Sequence, residues 1–389
     1  MSAFETRYGF SRNQVTLDNW RTRPFSTWSF QHVSELVPSV LVRAGGEPED
    51  LSDDRTLLDQ TVTVGDRRLP LSEFLALSCT DAFAVMKRGR FVADYAAPTC
   101  DPAKPHLLFS ISKSLTAILA GVLQDMRLLD PEQPVPHYVP KMAGSAYGDC
   151  SVRHLLDMRA SVDFEEAYLD PESAFARYRR AMLWNPGTGE ETLLGLLASL
   201  SKGDGPHGGP LRYLSPNTDL LGIVVERIAG RRYGDLLREW LLEPVGATGP
   251  CLVTTDREGT ARAAGGVSLT ARDLARIGEM MRNGGMAGSR AVLSESWVRD
   301  ATGGGDREAW KAGDFAAKSP DWGYRSNWYR TDGPEGAFCA VGIHGQKLFV
   351  DPSSEVVIVR LSSQNEPVDE ALDRQCLAVF GQVAAMNIG

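Results

Sequence analysis

Leu107-Leu108-Phe109-Ser110-Ile111-Ser112-Lys113-Ser114-Leu115 sets a serine three residues ahead of a lysine at the start of an apolar run. Leu115, Ile118, Leu119, Val122 and Met126 continue it at helical spacing, so the stretch reads as a buried helix. Residues three apart share a helix face, which puts the Lys113 amine beside the Ser110 hydroxyl. A serine is a poor nucleophile until a base takes its proton, and burial lowers the pKa of a lysine enough to make it that base. The helix start adds backbone N–H groups and a positive dipole end, which suit a developing oxyanion. By itself, Ser-x-x-Lys fits a helix start with a solvated lysine equally well, and the rest of the chain has to decide.

The chain has 389 residues, enough for a large core, and its 43% hydrophobic and 23% charged content is that of a globular protein. A net charge of −9 argues against a nucleic-acid or anionic-membrane partner. No uncharged apolar run reaches the length of a membrane-spanning helix. The start, Met1 to Arg7, lacks a basic segment followed by an apolar one, so a cytoplasmic location is expected. Cys79, Cys100, Cys150, Cys251, Cys339 and Cys376 are scattered without C-x-x-C spacing and read as reduced thiols. The six histidines form no metal motif, and there is no G-x-S-x-G elbow, Walker A loop or dinucleotide fingerprint. Neither a metal nor a cofactor is expected.

Outward from Ser110, residues 1–75 are polar and turn-rich with the anchors Trp20, Trp28, Phe30 and Leu51, and read as an irregular extension packed on the body. Ala82–Met86 and Phe91–Tyr95 form a hairpin about Lys87-Arg88-Gly89-Arg90. Helices are expected over Val152–Met158, Leu193–Leu200, Tyr233–Leu242, from Gly265 through Met281, and over Val368–Met386. Tyr213-Leu214-Ser215-Pro216-Asn217-Thr218-Asp219 leads into another, with Asn217 or Thr218 as its cap and Gly230 past its end. Trp322–Arg330, Ala340–Val350 and Val356–Leu361 have strand character, the last two bracketing a turn at Asp351-Pro352-Ser353-Ser354. Strands at both ends around a helical middle suggest one sheet with an inserted helical region.

Three separated pieces, Ser110-Ile111-Ser112-Lys113, Tyr213-x-Ser215-x-Asn217 and Ile343-His344-Gly345, resemble in order the three motifs of serine β-lactamases and penicillin-binding proteins. The segments Asn217-Thr218-Asp219-Leu220-Leu221-Gly222, Glu243-Pro244-Val245-Gly246 and Gly266 to Ala275 look like the class C-like branch. Within it, Thr16 to Trp20, Asp157-Met158 and Tyr168-Leu169-Asp170-Pro171 resemble the nylon-oligomer amidases and related carboxylesterases. The resemblance implies an α+β, β-lactamase-like fold: an antiparallel sheet with flanking helices plus an inserted, mainly helical region. The implied division is an extension over 1–75, a sheet region over 76–107 and 250–389, and a helical region over 108–249, with the cleft between the last two.

It also implies roles. Ser110 would be the acylated nucleophile, Lys113 its partner, and Tyr213 a proton relay; the N–H groups of Ser110 and Ile343 would form the oxyanion hole. Tyr168, Arg179, Ser215, Asn217 and His344 would face the substrate. The family's tyrosine usually sits two residues before the asparagine, where this chain has Ser215, so Tyr213 and Ser215 compete as relay. His344-Gly345 stands where β-lactamases carry Lys-Thr-Gly or Lys-Ser-Gly, which weakens the case for binding a β-lactam carboxylate. Where a nylon-oligomer amidase uses an acidic residue to hold the substrate ammonium, this chain has Arg177, Arg179 and Arg180, which favours esters. The expectation is a serine hydrolase forming an acyl-enzyme with small carboxylic esters and, secondarily, amides. Alternatives are a 6-aminohexanoate-dimer amidase, a D-amino-acid peptidase, or a penicillin-binding sensor that acylates without turnover. The expected partner is a small molecule, with a homodimer left open.

Overall fold

The computed structural model describes residues 2–46, 56–188 and 190–387; Leu51 lies outside them. Its centre is a seven-stranded antiparallel sheet in the order Gly323–Arg325, Trp328–Arg330, Phe338–Gly342, Gln346–Asp351, Val356–Ser362, Thr80–Lys87, Arg90–Ala96. The expected hairpin pairs Val85 with Ala93, and Ile358 lies across Val85 on the other side.

Alternation along Thr80–Lys87 decides how the sheet is covered. Ala82, Ala84 and Met86 point into one apolar cluster with Leu274 and Ile277 of the helix Ala271–Arg282. Phe83 and Val85 point into a second with Val379, Phe380 and Val383 of the terminal helix Glu370–Ala385. With both faces covered, the strand is a continuous buried run. Each large side chain so buried contributes about 1.5–3 kcal/mol.

A second antiparallel sheet runs Ser39–Arg43, Pro250–Thr254, Val267–Leu269, His106–Leu107. Its last strand delivers the chain to Ser110, and its first comes from the N-terminal stretch. That stretch is pinned by Trp20 and Phe30, both fully buried. The Trp20 indole N–H donates to the Trp184 carbonyl at 3.1 Å.

Four expectations need correcting. The helix expected from Gly265 begins only at Ala271, capped by Thr270, because Val267–Leu269 is a strand of the second sheet. Ala340–Val350 is two antiparallel strands, folded back at Ile343–Gly345, where His344 and Gly345 take φ of 60° and 86°. Trp322–Arg330 is likewise two short strands, turning at Ser326 and Asn327 with φ of 47° and 59°. The helix after Tyr213 spans Ser215–Ala229, so Asn217 and Thr218 lie inside its first turn instead of capping it. Pro216 makes this start possible, because a first-turn residue needs no N–H partner.

Candidate active site

Between the strand His106–Leu107 and the helix Ile111–Asp125, the backbone turns through Phe109 at φ 46°. A non-glycine residue held there costs on the order of 1–3 kcal/mol and persists only when its surroundings fix it. Here the Phe109 ring is wedged between Phe30 and Trp184, with centroids at 4.9 Å and 6.0 Å. The turn sets Ser110 at the helix start with its side chain on the cleft wall.

The helix behind it is buried almost all round, so Lys113 is only 1% exposed. Its Nζ donates to Ser110 Oγ at 2.7 Å and to the Ala264 carbonyl at 2.8 Å. Burial pulls the Lys113 pKa down to about 8, with Arg262 pulling the same way and Glu166 and Asp219 opposing. The amine also lies 5.0 Å from the centre of the Tyr213 ring. Burial pushes the Tyr213 phenol well up, while the adjoining Ser110 and Tyr329 hydroxyls work the other way. An amine that can be neutral near pH 8, a serine hydroxyl and a phenol therefore meet at one point.

Ile343 reaches the same cleft from the far sheet because Gly342 lets its strand end come close: a Cβ there would lie 2.5 Å from the Leu108 carbonyl. Ser215 lines the wall and donates its N–H to Glu166, whose other carboxylate oxygen accepts from the Tyr168 hydroxyl at 2.8 Å. Arg179 is also on the wall, its guanidinium 4.3 Å from the Phe175 ring centre and 2.9 Å from the Tyr168 carbonyl it donates to. Free space in the cleft is only about 20 Å³, room for little more than a water molecule. A groove of about 680 Å³ around Phe91, Arg272 and Arg276 contains no residue of the three motifs.

Two expected substrate-facing residues are placed elsewhere. His344 is 3% exposed, packed against Phe30 and Phe109 with its Nδ1 3.0 Å from the Gln364 carbonyl. Burial lowers its pKa to about 4, so it is a neutral core ring at the fold-back turn. Asn217 is fully buried; its Oδ1 accepts from the Tyr147 hydroxyl at 3.0 Å and its amide nitrogen lies 3.6 Å from the Met158 sulfur.

Other residues complete the site without having been singled out. Glu166 ties Tyr168 to Ser215. Fully buried Asp219 accepts from Arg262 at 2.7 Å and from the Ala264 N–H at 2.7 Å. That fixes the segment whose carbonyl holds Lys113. Gly222, one turn on, permits the contact: a Cβ there would lie 2.4 Å from that of Ala263. Asp219 reads in the sequence as an ordinary first-turn acid of the expected helix, and Arg262 and Arg21 carried no signal either. Among the described residues, no group of three His, Cys, Asp or Glu could hold a metal ion. None of their helices is long and apolar enough to cross a membrane.

Comparison with known proteins adds independent weight. The chain is 38% identical over 366 residues to the 6-aminohexanoate-dimer hydrolase of Paenarthrobacter ureafaciens, covering 92% of this chain and 91% of that one. A solved Bacillus anthracis structure described provisionally as a 6-aminohexanoate-dimer hydrolase superposes with a TM-score of 0.85 at 24% identity, covering 97% of this chain and 99% of that one. A family VIII carboxylesterase shares the fold at a TM-score of 0.58 and 15% identity, over 79% of this chain and 95% of that one. The beta-lactamase family model matches residues 80–379, which hold all three motifs and the whole seven-stranded sheet, and the chain belongs to that family as a serine hydrolase.

Proposed function

We propose that the protein hydrolyses small carboxylic esters through an acyl-enzyme on Ser110. The observation that carries this is the 2.7 Å contact between Ser110 Oγ and a buried Lys113 whose pKa is lowered to about 8. With Lys113 neutral, its nitrogen accepts the Ser110 proton as Oγ bonds to the substrate carbonyl carbon. The N–H groups of Ser110 and Ile343 receive the oxyanion; one such donor is typically worth about 10²–10³ in turnover. Collapse breaks the bond to the leaving alkoxide, which takes its proton from Lys113 by way of Tyr213. Water then attacks the acyl carbon, giving a proton to the same pair; the acyl–Oγ bond breaks, the pair returns that proton to Ser110, and the acid departs.

Amide hydrolysis is the second reading, favoured by the 38% identity to an enzyme named for the 6-aminohexanoate dimer. Tyr168 lines the cleft with its hydroxyl held by Glu166, and in this reading it would meet the leaving group. Six free cysteines support a reducing compartment such as the cytoplasm. The test compares a short-chain p-nitrophenyl ester with the linear 6-aminohexanoate dimer, in the native protein and in Ser110→Ala. Ester turnover lost in the variant, with slow dimer cleavage, is expected. Fast dimer cleavage makes the amidase the better description, a stoichiometric burst without turnover points to a sensor, and ester activity surviving in Ser110→Ala overturns the mechanism.

A further inference from the structure

We propose that Arg179 and Arg21 form an anion-binding subsite beside Ser110, so that the preferred substrates are esters or amides bearing a carboxylate. This rests on the hydrolase reading and names the substrate class within it.

Buried charges are normally paired, because leaving one uncompensated is costly. The cleft wall carries three guanidiniums, from Arg21, Arg179 and Arg262. Arg262 has its partner in Asp219 at 2.7 Å. Arg179 is 8% exposed and donates from one nitrogen to the Tyr168 carbonyl; its other two nitrogens have no hydrogen-bond partner among the described residues. Arg21 donates to the Trp184 carbonyl at 2.8 Å and to Asn185 Oδ1 at 2.5 Å, both uncharged. The carboxylate nearest to hand, Glu166, already has one oxygen on the Tyr168 hydroxyl and the other on the Ser215 N–H. Arg177 and Arg180 do not join them: Arg177 pairs with Glu191, and Arg180 donates to the Pro171 carbonyl.

Among the described residues, two cations thus share the nucleophile's cleft with no carboxylate hydrogen-bonded to either. Burial lowers Arg21 to about 9, with Arg179 and Arg262 pushing the same way, and lowers Arg179 to about 10, with Arg262 pushing the same way and Tyr168 and Glu166 opposing. Both remain charged at neutral pH, and a carboxylate between them would relieve the repulsion. Guanidinium recognises carboxylate through paired N–H donors, and a charge-assisted contact of this kind is worth about 10- to 100-fold in binding.

The test compares kcat/KM for mono-p-nitrophenyl adipate with that for p-nitrophenyl hexanoate. The butyrate ester of 4-hydroxybenzoate against phenyl butyrate places the carboxylate on the leaving side instead. In at least one series the anionic ester should be preferred by about 10- to 100-fold, and Arg179→Gln should collapse that ratio at least tenfold, with Arg179→Lys restoring part of it. Arg21→Gln serves as a second variant should Arg179→Gln not fold. Adipate binding by calorimetry reads the subsite without chemistry. Neutral esters equal to or better than anionic ones in both series, or a ratio untouched by either arginine variant, overturns the subsite while leaving the hydrolase standing. Arginine-dependent adipate binding without turnover of any ester supports the subsite and sinks the hydrolase reading.

Discussion

The Lys113 amine lies 2.7 Å from the Ser110 hydroxyl, inside a helix so buried that the lysine is 1% exposed. Its lowered pKa is the direct consequence, since a charge removed from water favours the neutral form. If neutral Lys113 is the working base, kcat/KM for a short ester should rise tenfold per pH unit at low pH and level off near pH 8, the value to which burial brings it. Lys113→Met should lower turnover by about 10²–10⁴ and remove that limb. A profile flat from pH 6 to 10 in the native protein would show that Lys113 is not the titrating group.

Tyr213 and Ser215 make separable predictions. Tyr213 has its ring over the lysine amine and its hydroxyl next to Ser110, whereas Ser215 is held through its backbone by Glu166. Tyr213→Phe should cost about 10²–10⁴ in kcat, the usual range for a lost proton-transfer group, and Ser215→Ala less than tenfold. The reverse ranking in steady-state kinetics would make Ser215 the relay.

How far the sequence could be read follows from how local each feature is. Ser110 and Lys113 are one helical turn apart, so their meeting is a property of the helix and could be seen at once. The hairpin about Gly89 and the terminal helix follow equally local rules. Tyr213 and Ile343 reached the site only through a family resemblance, because their approach depends on packing between distant elements. His344 was misread for a related reason: the resemblance implied a substrate-facing position, but with φ at 60° its side chain packs against Phe30 and Phe109. Arg21 and Arg262 were silent, since their neighbours in the chain say nothing of the buried partners they meet.

His344 gives a stability prediction with a definite sign. Its folded pKa of about 4 lies below the ordinary 6.5, so the unfolded chain binds the proton more readily. The stabilisation is complete above pH 6.5 and is lost as pH falls toward 4. Between pH 7 and pH 5 the native protein should lose on the order of 2 kcal/mol more than His344→Gln, measured by urea unfolding. An identical pH response in the two proteins would mean that the ring is not buried as a neutral group. Ester turnover in His344→Gln should show the same limb near pH 8 as the native protein, because the ring lies behind the cleft wall.

The last prediction concerns the ion pair behind the lysine. Asp219 is bonded at once to the Arg262 guanidinium, the Tyr178 hydroxyl and the Ala264 N–H, and all of it lies out of water. Removing one charge from such a pair leaves the other stranded, which typically costs about 3–5 kcal/mol. Asp219→Asn keeps the shape and should still lose stability of that order, seen as a lower urea midpoint with an unchanged slope. The consequence for chemistry is distinct from the consequence for folding. Ala264 is both a donor to Asp219 and the carbonyl acceptor of Lys113, so loosening it frees the amine from one of its two anchors. Arg262, released from its partner, would stand as an uncompensated cation near Lys113, and the upward pull of the Asp219 carboxylate would be lost; both lower the lysine pKa further. The pH limb of ester hydrolysis in Asp219→Asn should therefore move below that of the native protein, measured at a temperature where the variant remains folded. A limb that stays in place while stability falls would confine Asp219 to holding the fold and detach it from the tuning of Lys113.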